Sequence, residues 1–241
     1  MQNKLKKIAG VAVLGWMLST SVFAQTASHQ YRFDGTLGDD FGGAALVANG
    51  GTLGTNGYAF DKNQGLTLTE SLGSAYTIDL SFSFSALSGY QKIIDFSNLS
   101  SDSGMYTLNN SLTTWVSGIQ SSGGSLVANE LSRVTLTRDA QNLVSVYANG
   151  VFAGSFNDVS SAFVPAQATT FFADDIKTSP REAGAGLVKY IRTYNSALTS
   201  TQVASLATPL APVPEPETYA MLLAGLGLMG AAVKRRKSAA R

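Results

Sequence analysis

The feature that most constrains this chain is a strict alternation over residues 76–86. Tyr76, Ile78, Leu80, Phe82, Phe84 and Ala86 occupy one set of positions, and Thr77, Asp79, Ser81, Ser83 and Ser85 the other. Successive side chains of an extended strand point to opposite faces, so this period of two predicts a strand with one buried and one wet face. Further strands are expected at 30–33, 57–60, 65–69, 92–96, 105–108, 112–116, 133–137, 143–148, 151–156, 169–173 and 187–194. Asn149-Gly150 stands between VSVYA and VFAGSF. Both central residues of a type I′ turn need positive φ, which Asn and Gly tolerate, so this is a hairpin. The turn at 138–142 precedes it, making 133–156 a three-strand meander. Many short strands broken by turns about every ten residues argue for an all-β sandwich or jelly roll. One short helix closes the domain: Thr199-Ser200-Thr201-Gln202 has capping-box form, with Val203 and Leu206 on its apolar side.

The two ends read differently. Lys4, Lys6 and Lys7 precede an apolar run over 8–18, and Val22-Phe23-Ala24 suits a cut between Ala24 and Gln25. That is the layout of a secretory signal peptide over 1–24, with the Sec translocon and signal peptidase as partners; its apolar core is shorter than the ~20 residues of a spanning helix. At the other end, a Pro-rich linker at 208–217 leads into an uncharged stretch at 218–233 and a basic tail at 234–241. Tyr219 to Val233 would form a helix of about 22 Å at ~1.5 Å per residue, short for a ~30 Å hydrocarbon core. Snorkelling by Lys234, Arg235, Arg236 and Lys237 narrows the gap, and the positive-inside rule leaves that cluster in the cytoplasm. The expectation is therefore one domain at 25–207 between a signal peptide and a single transmembrane helix.

Charge follows the same division. Eight of the 17 basic residues and two of the 16 acidic ones lie at the ends, leaving nine basic and 14 acidic side chains between them, a net charge of −5. Phosphate contacts need clustered Lys and Arg, so nucleic acid is excluded as a partner. With no cysteine, disulfides, thiolate zinc sites and a Cys nucleophile are excluded as well.

Val213-Pro214-Glu215-Pro216, an apolar stretch and Lys234-Arg235-Arg236-Lys237, in that order, resemble the PEP-CTERM sorting signal of Gram-negative bacteria. The resemblance implies recognition at Pro214, Glu215 and Pro216 by an exosortase, an inner-membrane-anchored precursor, and delivery to the cell surface or extracellular matrix of an exopolysaccharide-producing host. The middle resembles laminin-G-like, concanavalin A-like jelly rolls. Three blocks carry the likeness: Tyr31 to Gly35 with Asp39 and Gly42-Gly43; Val134 to Asp139 with Val146 to Val151; and Phe171 to Asp175 with Gly186 to Asn195 and Ala197 to Thr199. Where that family often has an acidic residue before its Ile-Arg-x-Tyr segment, this chain has Lys189 and Tyr190.

Lectins and glucanases share this architecture, so the fold does not choose between them. Glycosidases need two carboxyl groups ~5–9 Å apart. The Glu-x-Asp-x-x-Glu run of glucanases of this fold is missing, and the domain has only Glu70, Glu130 and Glu182. Asp79 and Asp95 lie on expected strands without an acidic neighbour two residues away, and His29 is the single histidine. No catalytic set is assigned. Calcium takes 6–8 oxygen ligands, for which Asp34, Asp39, Asp174 and Asp175 are the candidates; as turn formers they would instead accept backbone N–H bonds. Tyr90, Tyr106 and Trp115 could stack on a sugar at a rim over 90–116, or fill the core as large aromatics commonly do. The expectation is a non-catalytic module for exopolysaccharide or another glycan. The alternatives are an adhesive matrix protein without a small ligand, or a degenerate glucanase.

Overall fold

A computed structural model describes residues 25–116, 119–165, 167–175, 177–178 and 182–206. The expected signal peptide with Ala24, the linker with Pro214, Glu215 and Pro216, the span at 218–233 and the tail with Lys234, Arg235, Arg236 and Lys237 lie outside these residues. Among the described residues no helix is long and apolar enough to cross a membrane.

The chain runs through β1 (His29–Tyr31), β2 (Val47–Ala48), β3 (Thr52–Gly54), β4 (Gly57–Phe60), β5 (Leu66–Leu68) and β6 (Tyr76–Phe84). It continues through β7 (Tyr90–Asp95), β8 (Gly104–Leu108), β9 (Ser111–Trp115), β10 (Ile119–Ser125) and β11 (Ser132–Arg138). The last elements are β12 (Leu143–Ala148), β13 (Val151–Asn157), β14 (Thr169–Phe171), β15 (Gly186–Tyr194) and α1 (Ser200–Ser205). Two antiparallel sheets form a sandwich. The first runs β13-β12-β11-β6-β15-β4-β3, with β1 also paired to β15; the second runs β10-β9-β8-β7-β14-β5-β2. Their inner faces meet in one apolar core. Ile78, Leu80, Phe82 and Phe84 of β6 face Leu66, Ile94, Met105 and Leu112, all nearly or wholly buried. Phe172 stacks on Phe60 at 4.4 Å between ring centroids and tilts against Phe82 at 5.2 Å.

The strand expected at 76–86 ends at Phe84, and its polar face is buried over 77–81, with Ser83 partly exposed and Ser85 exposed. Thr77 and Asp79 are 0% exposed and Ser81 7%. The cover comes from later in the chain. Arg192 donates to Asp79 through Nη2 at 2.6 Å, and Thr135 donates to it at 2.7 Å. Tyr147, Tyr194, Leu198 and Val203 make a second small apolar cluster under α1. Thr199 caps that helix as expected, accepting from the Gln202 N–H while the Gln202 side chain accepts from the Thr199 N–H. Arg133 donates to the carbonyls of Val203 and Leu206 at the helix's C-terminal end, where a cation is favoured. The helix is thus tied to the outer face of the first sheet by charge as well as by burial.

Local conformation explains the other boundary differences. Phe33 has φ 52° and Phe172 φ 61°, outside the extended region, so the strands expected at 30–33 and 169–173 stop at Tyr31 and Phe171. Asn149 and Gly150 both have positive φ, 51° and 82°, and β12 turns into β13 through them as the sequence predicts. Strands β2, β3 and β10 were not anticipated: two are only two or three residues long, and the third, IQSSGGS, has no apolar alternation.

Candidate binding site on the outer face of the second sheet

In β7, β8 and β9 the register sets Lys92 against Tyr106, Tyr106 against Thr113, and Gly104 against Trp115. Since Met105 and Leu112 belong to the core, alternation turns Tyr106 and Thr113 to the opposite face. There Tyr90, Tyr106 and Trp115 line a cavity of about 280 Å³ together with Asp102 and Glu182. The loop between β7 and β8 supplies Asp102, and the segment after β14 supplies Glu182, whose carbonyl accepts from the Lys92 N–H at 2.6 Å. Tyr90 meets the Tyr106 ring edge-on at 6.0 Å, and the Tyr106 hydroxyl donates to the Asp102 carbonyl at 2.8 Å. All three aromatics anticipated for ligand contact are therefore in one place. Trp115 is half-buried at the cavity wall rather than in the core.

Acidic groups stand behind this wall. Lys92, 0% exposed, lies 4.4 Å from the Tyr106 ring centre, with Nζ 3.4 Å from Asp95 Oδ2 and 3.8 Å from Asp174 Oδ1. Asp174 is buried; its Oδ2 accepts from the Glu182 N–H at 3.2 Å, while its Oδ1 takes no hydrogen bond. Burial pushes the Asp174 carboxyl above its ordinary value, only partly countered by Lys92. Glu182 is raised by burial and then by the charges of Asp174 and Asp102. Asp175 moves the other way. Burial pushes it up, but the Thr178 hydroxyl and the N–H groups of Thr178 and Lys177 outweigh that and hold it at about 2.

The four acids anticipated for calcium do not come together. Asp102, Asp174 and Asp175 bring oxygens within 4.8 Å of one another, a group that does not include Asp34 or Asp39. Asp39 organises the opening turn, accepting from the N–H groups of Gln30, Phe41 and Gly43 and pairing with His29 Nδ1 at 2.8 Å. Burial pushes its carboxyl up, yet these bonds hold it below its ordinary value. Asp34 stays near the surface, 3.9 Å from Arg32. Asp175 is likewise a turn former, with both oxygens engaged by Lys177 and Thr178. Asp102, Glu182 and Lys92 were not singled out from the sequence. Asp102 sits in a Ser-rich loop and Glu182 before an irregular stretch at 183–185, where an acid carries no local signal.

The departure at Lys189 and Tyr190 also has a structural place. Lys189 lies where β15 shifts register against β6, and its ammonium bonds to Asn56. Tyr190 lies against the Arg192 guanidinium at 4.7 Å.

The family model of the concanavalin A-like lectin/glucanases superfamily matches residues 53–204. The chain belongs to this superfamily. The matched span covers the meander and the closing strands, while the opening block at 31–43 precedes it. A second family model, the PEP-CTERM protein-sorting motif, matches residues 212–237, which implies exosortase-mediated sorting of an exported protein. No curated protein matches the chain. Among solved structures, a Trypanosoma rangeli sialidase superposes with a TM-score of 0.60 at 15% identity, covering 74% of this chain and 32% of its own. Domain 4 of AbnA, an extracellular arabinanase from Geobacillus stearothermophilus, in complex with arabinotriose, gives 0.57 at 18% identity, covering 77% and 100%. The receptor binding domain of botulinum neurotoxin type G gives 0.53 at 16% identity, covering 75% and 50%. This superfamily member spans about a third of the sialidases it matches, and at such identities the likeness is one of fold.

Proposed function

We propose that this superfamily member is an exported, exosortase-sorted protein of the cell surface or extracellular matrix whose sandwich is a non-catalytic glycan-binding module. The carrying observation is the convergence of Tyr90, Tyr106 and Trp115, from three different strands, on one cavity that also holds Asp102 and Glu182. Aromatic faces pack on sugar C–H faces, and carboxylates accept hydrogen bonds from sugar hydroxyls. A cavity of about 280 Å³ is near the lower end of ligand sites, roughly 300 Å³, which suits a short segment of a chain better than a large folded partner. The arabinotriose complex of the similarly folded arabinanase domain supports the reading. The sorting motif supports the location: a precursor cut between Ala24 and Gln25 and held in the inner membrane of a Gram-negative bacterium by 218–233 would be released near Pro214-Glu215-Pro216, placing the domain beside exopolysaccharide.

The test is a glycan array on the full chain, followed by titration of the best ligand. Trp115→Ala should weaken binding at least tenfold while leaving the melting temperature within a few degrees. Unchanged affinity, or binding to no glycan, would refute the assignment and leave an adhesive matrix role. One observation favours a second reading. Asp102 and Glu182 share a cavity, and burial with the neighbouring acids raises the Glu182 carboxyl, the direction a general acid needs. Release of reducing sugar that Glu182→Gln abolishes would make the protein a hydrolase.

A further inference from the structure

The cavity's charges are one-sided. Among the described residues its lining bears two ionisable carboxyls, Asp102 and Glu182, and no cation. Directly behind them stand Asp174 and Asp175, both almost fully buried. Lys92 stands beside this group, and it cannot reach a ligand: it is 0% exposed, paired with Asp95 and Asp174, and covered by the Tyr106 ring. Asp174 Oδ1 remains buried without a hydrogen bond. The half-buried rings of Tyr90 and Trp115 add the negative potential of their faces, while Tyr106, 1% exposed, lies over Lys92. Carboxylates together with ring faces form a receptor for an ammonium group, whereas an acidic sugar would meet like charge on entry.

Resting on the glycan-binding reading, we infer that the ligand is a cationic sugar, a glycan whose residues carry a protonated primary amine. Asp102 and Glu182 receive the ammonium, and Tyr90 and Trp115 hold the ring that bears it, over a floor formed by Tyr106. A calcium ion competes poorly for the same acids. It needs 6–8 oxygen ligands, while both Asp175 oxygens are taken by Lys177 and Thr178 and the Lys92 ammonium stands 3.8 Å from Asp174 Oδ1.

The experiment compares two ligands that differ only in charge. The full chain, in buffer with EDTA, is titrated calorimetrically with a β-1,4-linked glucosamine tetramer and with its N-acetylated counterpart. The free-amine form should bind at least tenfold more tightly, with an affinity that falls as salt is raised. Glu182→Gln and Asp102→Asn should each reduce the preference several-fold, and Trp115→Ala should weaken both ligands alike. Unfolding curves accompany each variant, and the Glu182 variant, which loses no side-chain hydrogen bond described here, carries the test if Asp102→Asn does not fold. Equal affinity for the two tetramers, or binding confined to neutral or acidic glycans, overturns the charge inference and leaves glycan binding intact. Binding to no glycan removes both. Binding that appears only when calcium replaces EDTA would hand the acidic group to the metal and likewise overturn the inference.

Discussion

Asp79 offers a sharp test of how the first sheet is held. It is 0% exposed; Oδ2 accepts from Arg192 Nε at 3.1 Å and Nη2 at 2.6 Å, and Oδ1 accepts from Thr135 at 2.7 Å, with Arg133 Nε 3.7 Å away. Arg192 is itself only 5% exposed. Asp79→Ala leaves that guanidinium buried without its counter-ion, whereas Arg133 keeps the Val203 and Leu206 carbonyls. Removing one partner of a buried ion pair costs about 3–5 kcal/mol. At roughly 2–4 °C per kcal/mol for a domain of this size, the melting temperature should fall by about 6–20 °C. Urea unfolding followed by circular dichroism measures the loss directly. The cost lies in the stranded charge, not in the missing bonds. Replacing both partners, as Asp79→Leu with Arg192→Met, should therefore recover most of the stability, since apolar substitutes of similar size are commonly neutral or better. A single variant that loses less than about 1 kcal/mol, or a double variant no more stable than the single, would refute the argument.

Three further outcomes are expected. Asp174 and Glu182 have raised folded-state pKa values, so the stability they contribute is present at low pH and lost as pH rises through those values. Asp175 at about 2 and Asp39, also depressed, contribute stability above the ordinary carboxylate range that is lost as pH falls through their folded values. Scanning calorimetry should thus show the melting temperature rising as pH falls toward the ordinary carboxylate range and dropping again below it; a steady decline from neutral downward would contradict the assignment. A methyl group on Gly186 would collide with the Ser83 carbonyl oxygen across the β6–β15 pair. Gly186→Ala should cost about 1–3 kcal/mol in urea unfolding, while Gly54→Ala, which meets only an ordinary contact at 3.5 Å, should stay within about 0.5 kcal/mol. Mass spectrometry of protein recovered from the cell surface should find a C-terminus near Pro214-Glu215-Pro216; an intact tail to Arg241 would leave a permanent anchor instead.

The β character was legible in the alternation at 76–86 and in Asn149-Gly150. The solvent state of the alternating polar residues was not. Polarity at Thr77, Asp79 and Ser81 marks the side turned away from the main core, but burial on that side is decided by Arg133, Arg192 and α1, which arrive much later in the chain. A similar division runs through the site. Tyr90, Tyr106 and Trp115 could be picked out because aromatics in a Ser- and Thr-rich stretch are few. Asp102 and Glu182 could not, because what makes them matter is the pairing of β7 with β8 and with β14, a non-local property. The acids at Asp34, Asp39, Asp174 and Asp175 were legible as oxygen donors, but their grouping was not.

The placement of β15 has a consequence for how the domain comes into being. The last strand in sequence is inserted between β6 on one side and β4 and β1 on the other. A chain emerging N-terminus first, from a ribosome or through a membrane pore, therefore leaves the edge of β6 open and β1 without a partner until residue 194 is clear. Closing the first sheet waits for contacts between distant parts of the chain, and such closure is slow. The unfinished chain thus stays threadable for nearly its whole length. The sorting motif at 212–237 begins a few residues after α1 ends at Ser205, so the sandwich can lock only shortly before the sorting signal emerges.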